Sequence, residues 1–145
     1  MIAKIGDTIL SITLEKDLRN YRGDRVLGLS CIHGGFGYIK LLKDLKLPEF
    51  WEYIEGKCPD STCSVQKKAV MILLGLTKEV LGTIINTPER AREFLLRHEL
   101  SHVRHHDSDN QRLTESGHLS LYRIGIEARA TAEAWSEMLK KYGNI

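Results

Sequence analysis

His98 and His102 stand four positions apart, with Glu99 directly after the first, in the run His98-Glu99-Leu100-Ser101-His102. On an α-helix, residues at that spacing share one face with about 6 Å between their stems, so the two imidazoles can converge on one ion. Imidazole nitrogens in this arrangement suit zinc. A glutamate beside the first ligand is then placed to take a proton from zinc-bound water without being a ligand itself. The same five letters also arise by chance on amphipathic helices. A catalytic zinc needs three protein ligands plus water, so the third ligand decides between a site and a coincidence.

Candidates for that ligand can be ranked by geometry. His106 is eight positions from His98, roughly 12 Å along a helix axis, too far to share an ion with it. A longer pattern with glycine at 105 and a ligand at 108 is excluded, because the chain has His105 and Ser108 there. Asp107 and Asp109 could serve if the helix ended early and the chain folded back. Glu127 lies in Glu127-Ala128-Arg129-Ala130 on a later helical stretch, beside an apolar stripe of Ile124, Ala128, Thr131, Trp135 and Met138. Glu133, about 240° further round that helix, falls among Arg129, Glu137 and Lys140 on a solvent-type face. Glu127 is therefore the preferred third ligand, and the small residues Ala128, Ala130 and Ala132 allow its helix to approach the histidine helix closely.

The elements that must position these residues are partly legible. Thr87-Pro88-Glu89 is a helix start, with Thr as N-cap, Pro at the first helical position and an acid in the first turn. The helix is expected from Pro88 to about His106. A final helix is expected over Leu119 to Lys141, ending before Gly143. In the N-terminal half, two short strands flank Gly6-Asp7, and Arg25 to Ile32 reads as another strand ended by Gly34-Gly35. Apolar residues at Ile39, Leu42 and Leu45 predict a helix over Phe36 to Leu45, and Pro48 starts a short one over Glu49 to Ile54. Gly56 to Ser64 has the composition of a loop. The stretch Val65 to Asn86 divides at Gly75, and the β-branched Val80, Thr83, Ile84 and Ile85 favour a strand over Val80 to Asn86.

The HExxH helix followed by the glutamate of Glu127-Ala128-Arg129-Ala130 resembles the gluzincin metallopeptidases. The resemblance is greatest to the small minigluzincins and the repressor-cleaving forms of mobile elements, and it covers roughly Val80 to Leu139. It implies an α+β, minimal zincin-like domain with a small twisted sheet, an HExxH active-site helix and a C-terminal glutamate-bearing helix. It also implies Zn2+ held by His98, His102 and Glu127, Glu99 as catalytic base, and a peptide or protein substrate lying along an edge strand. The strand expected over Val80 to Asn86 could supply that edge. The function expected is hydrolysis of peptide bonds by zinc-activated water with a glutamate general base. The alternative is a non-catalytic zincin-fold module that binds a peptide or protein. In similar enzymes a His or Tyr stabilises the oxyanion, a role open here to His118 or Tyr122.

At 145 residues the chain is expected to form a single domain over 1–145. Its composition, 42% hydrophobic and 28% charged, is that of a folded protein rather than a disordered one. A net charge of +2 gives no reason to expect a nucleic-acid or membrane partner. Local basic runs at Lys40 to Lys46 and Arg90 to Arg104 read as solvated faces. The N-terminus lacks a secretory apolar segment, so a cytoplasmic location is the default expectation. Three cysteines, Cys31, Cys58 and Cys63, cannot all pair with one another. Cys58 and Cys63 have no second Cys or His pair at zinc-finger spacing, although one of them could occupy the fourth zinc position and hold the enzyme latent. His33 beside Gly34-Gly35 reads as a turn residue.

Overall fold

Alternating apolar residues near the N-terminus build a sheet. In the computed structural model, which describes residues 1–20, 23–57, 61–109 and 120–143 (side chains of 61–63 and 109 excepted), Ile2–Ile5 (β1) and Thr8–Glu15 (β2) form a hairpin. Gly6 turns it with φ +58°, a conformation that L side chains rarely adopt. Gly28–His33 (β3) and Phe36–Leu42 (β4) form a second hairpin, and β4 inserts parallel to β2, giving the order β1-β2-β4-β3. The edge nearest the histidine helix is therefore β3.

The helix expected over Phe36 to Leu45 is a strand for most of its length. Gly34-Gly35 is a two-residue connection between alternating runs, with Gly34 at φ +63°, a hairpin signal stronger than a three-residue apolar spacing. Once folded back, β4 is central. A Cβ at Gly37 would stand 2.7 Å from the Cys31 carbonyl oxygen, while Ile39 and Leu41 are buried beneath the sheet. Ile9 and Phe36, paired on the opposite face, remain 44% and 68% exposed.

The strand expected over Val80 to Asn86 is also replaced. The local elements are Ser61–Leu74 (α2), a reversal at Gly75 with φ +64°, and the short helix Lys78–Leu81 (α3). Thr77 caps α3 by accepting from the Val80 amide, and the Thr83 hydroxyl donates to the Val80 carbonyl, so side chains satisfy the backbone that a strand would have paired. Leu81, Ile84 and Ile85 enter the core from these turns. The β-branching of Ile84 and Ile85 reflects burial rather than extension.

Leu47–Ile54 (α1) starts slightly earlier than expected, with Pro48 in its first turn, Pro88–Arg104 (α4) stops slightly before His106, and the last helix is Leu121–Tyr142 (α5). Among the described residues no helix is long and apolar enough to cross a membrane. The architecture is α+β, with α4 between the sheet and α5. Ala91, Phe94, Leu95 and Val103 of α4 join Leu10, Ile32, Ile39 and Leu41 of the sheet in one buried cluster. Phe50 of α1 meets Phe94 edge to face, with ring centroids 5.9 Å apart. On the other side, Ala130, Ala134 and Met138 of α5 are fully buried, and the small residues bring the two helix backbones together. Ion pairs of Arg97 and Arg104 with Glu137 clamp the two helices along their polar margin, and Glu93 pairs with Arg97 within α4.

Candidate metal centre

Both helices that carry the candidate ligands are capped by side chains. Thr87 accepts from the Arg90 amide at 3.1 Å to start α4, and Ser120 accepts from the Arg123 amide at 3.1 Å to start α5. α4 ends at His105 and His106. With φ +53°, His106 is the described non-glycine residue in the left-handed region, and it sends the chain into a 3-10 turn at Asp107–Asp109. That reversal brings Asp107 back beneath His102.

His98 Nε2 and His102 Nε2 lie 3.1 Å apart, and Glu127 Oε2 lies 3.0 Å from the first and 3.3 Å from the second. Ligand atoms about 2.0–2.1 Å from a tetrahedral zinc stand about 3.3–3.4 Å from one another, so the three atoms fit one coordination face after small outward movements. Glu133, expected on a solvent-type face, instead packs against α4, where it meets Ser101 and His105 and stays away from the two Nε2 atoms. A carboxylate oxygen of Glu99 lies within 4.8 Å of a ring nitrogen of each histidine. Glu127 touches both Nε2 atoms directly, whereas Glu99 stands beside them.

Electrostatics also tie these atoms to one another. Burial opposes a charge on His102, but the Glu127 carboxylate and the bond to Asp107 outweigh it and hold the imidazole well above its ordinary range. Burial likewise opposes ionisation of Glu127, and the two imidazoles overcome it and keep that carboxyl well below the usual range.

The outer ring nitrogens have partners too. His102 Nδ1 is 2.7 Å from Asp107 Oδ2, which also accepts from Arg129, and His98 Nδ1 is 3.3 Å from Thr131 Oγ1. The Asp107 carboxylate can only accept, so it places a proton on His102 Nδ1 and turns Nε2 toward Glu127, whereas the Thr131 hydroxyl can donate to or accept from His98 Nδ1. Asp107, weighed from sequence as a ligand, therefore touches the far side of His102. The side chain of Asp109 lies outside the described residues. Thr131 follows Glu127 by one helical turn, a spacing legible in the sequence. The service of Arg129 to Asp107 had no such signal.

Glu99 is 7% exposed and accepts a hydrogen bond from Ser30 Oγ at 3.2 Å. Gly28, two residues back on β3, leaves space for it, since a Cβ there would stand 3.3 Å from Glu99 Cγ. Nothing in the sequence marks Ser30 or Gly28, because their role comes from strand register. A cavity of about 440 Å³ opens beside the cluster, with apolar walls that include Leu29, Val70, Met71 and Phe94. Arg123, one turn before Glu127 on α5, lines it, whereas Tyr122 does not. His118 lies outside the described residues, as do Cys58 and the side chain of Cys63. Cys31 is a free thiol on β3.

No protein-family model, no curated protein and no solved structure matches this chain. Its functional reading therefore comes from the geometry of its own residues.

Proposed function

We propose that the protein is a zinc-dependent metallopeptidase of gluzincin type, with His98, His102 and Glu127 as ligands and Glu99 as general base. The observation that carries this reading is the meeting of two Nε2 atoms and one Oε2 atom within 3.0–3.3 Å, with a buried glutamate beside them and an open cleft in front. When bound, zinc supplies a Lewis acid that polarises a carbonyl and lowers the pKa of water.

The chain's own residues divide the remaining work. Asp107 and Thr131 hold the two imidazoles so that Nε2 faces the cleft. Ser30 holds one oxygen of Glu99, leaving the carboxylate oriented to take the proton of a water attacking the scissile carbonyl carbon. As the C–N bond breaks, Glu99 returns that proton to the leaving amine, so water is consumed and the base is restored. Arg123 brings a positive charge to the cavity wall, where it can face a carbonyl oxygen or a carboxylate of the substrate. β3 is the strand an extended peptide would pair with.

A binding-only module has no use for a buried carboxylate positioned by its own hydrogen bond beside the ligands, and this favours catalysis over the alternative. The test is elemental analysis of the purified protein and of His102→Ala, followed by a peptide-library digest. About one zinc per chain in the wild type, none in the variant, and cleavage by the wild type alone are expected. A zinc-free wild type that gains no zinc on dialysis against the metal would end the proposal.

A further inference from the structure

β3 lies at the edge of the sheet beside Glu99. In an antiparallel pair, residues that exchange backbone bonds alternate with residues that do not. The Leu42 amide donates to the Leu27 carbonyl at 3.0 Å. The register Leu29↔Lys40, Cys31↔Tyr38 and His33↔Phe36 continues that bonded set. The intervening residues Gly28, Ser30 and Ile32 must therefore turn their N–H and C=O groups away from β4, toward the open edge.

At Ile32 that edge is taken. Ser108 Oγ accepts from the Ile32 amide at 2.8 Å and lies 3.4 Å from the Ile32 carbonyl oxygen, to which it donates. One hydroxyl thus engages both groups that a residue of an added strand would use. Its place is secured by Asp107, the preceding residue, which His102 and Arg129 hold. Among the described residues, no hydrogen bond from outside the sheet reaches the backbone of Gly28 or Ser30.

Resting on the peptidase reading, we propose that the Asp107–Asp109 turn caps the pairing edge at Ile32, so that an extended substrate pairs with β3 only at Gly28 and Ser30. These two residues lie about 7 Å apart along the strand, enough for some three residues of substrate. Backbone pairing over so short a stretch is weak. Selection then falls to side chains, and the apolar cavity below the edge suits a substrate that presents a large apolar residue in a flexible, extended segment.

The test is amide hydrogen exchange by NMR on the zinc-loaded protein, free and with leucine-alanine peptides of two to six residues. One peptide series carries a hydroxamate at its C-terminal end and the other at its N-terminal end, so that the chain leaves the metal in either direction. In the free protein the Ile32 amide should exchange roughly tenfold or more slowly than those of Gly28 and Ser30. Ser108→Ala should remove that difference without changing zinc content, and Ser108→Thr should restore it. Bound peptide should slow Gly28 and Ser30, and affinity should stop rising once the peptide reaches the cap. If neither series binds the zinc-loaded protein, the peptidase reading falls and the pairing falls with it. If peptide binds but leaves Ser30 unprotected, or if Ile32 exchanges equally fast in wild type and Ser108→Ala, the cap is refuted while the metal site stands.

Discussion

Glu127 Oε2 lies 3.0 Å from His98 Nε2, although the two residues are 29 positions apart and on different helices. Buried alanines on α5 permit that approach, and the Arg97 and Arg104 ion pairs with Glu137 hold the helices in register. Glu127→Gln should therefore weaken zinc binding far more than Glu133→Gln, whose side chain serves Ser101 and His105. Competition against a chelator of known affinity measures both. Equal losses would mean that Glu127 is not a ligand.

Asp107 touches the far nitrogen of His102, so Asp107→Asn should weaken zinc binding by about 10- to 100-fold, the usual effect of losing a group that orients a histidine ligand. Arg129→Met should act in the same direction through Asp107, with Arg129→Lys recovering part of the loss. A loss from Asp107→Asn greater than from Glu127→Gln would show that the aspartate is itself the ligand.

Replacing Glu99 by Gln keeps the size of the side chain and removes the carboxylate that accepts a proton. Zinc content should stay at the wild-type level while the cleavage rate falls by roughly 10² to 10⁴. Undiminished cleavage in this variant would overturn the assignment of the base, whatever the state of the metal.

Glu93 gives a pH dependence remote from the metal centre. Burial opposes its ionisation, but hydrogen bonds from Tyr142, Arg97 and Lys141 outweigh that and lower its pKa below 4.5. A carboxylate with a depressed folded pKa stabilises the fold above its unfolded pKa and loses that contribution as pH falls through the folded value. Glu93→Gln should thus lower Tm by about 2–5 °C at pH 7, and the gap to wild type should close as pH drops below about 4. Thermal melts across that range check both the size and the sign.

Local chemistry made much of the C-terminal half legible. Thr87-Pro88-Glu89 starts α4 because capping and the fixed φ of proline act within a few residues. The four-residue spacing of His98 and His102 places both rings on one face for the same reason. Spacing along the last helix also pointed Glu127 toward the histidines, but Glu133, expected on a solvent-type face, meets Ser101 and His105 of α4 instead. Pairing partners were not legible. Phe36–Leu42 is a strand because β2 and β3 close on it from both sides, and Val80–Ile85 is helix and turn because Thr77 and Thr83 satisfy its backbone while its apolar side chains enter the core. Register alone brings Ser30 and Gly28 to Glu99, and only the left-handed turn at His106 returns Asp107 to His102 and Ser108 to Ile32. Sequence by itself determined that His98 and His102 share one helix face, because helical periodicity is local. Tertiary structure decided what orients those side chains and which strand faces them, because those contacts join residues up to 76 positions apart and depend on where whole elements pack.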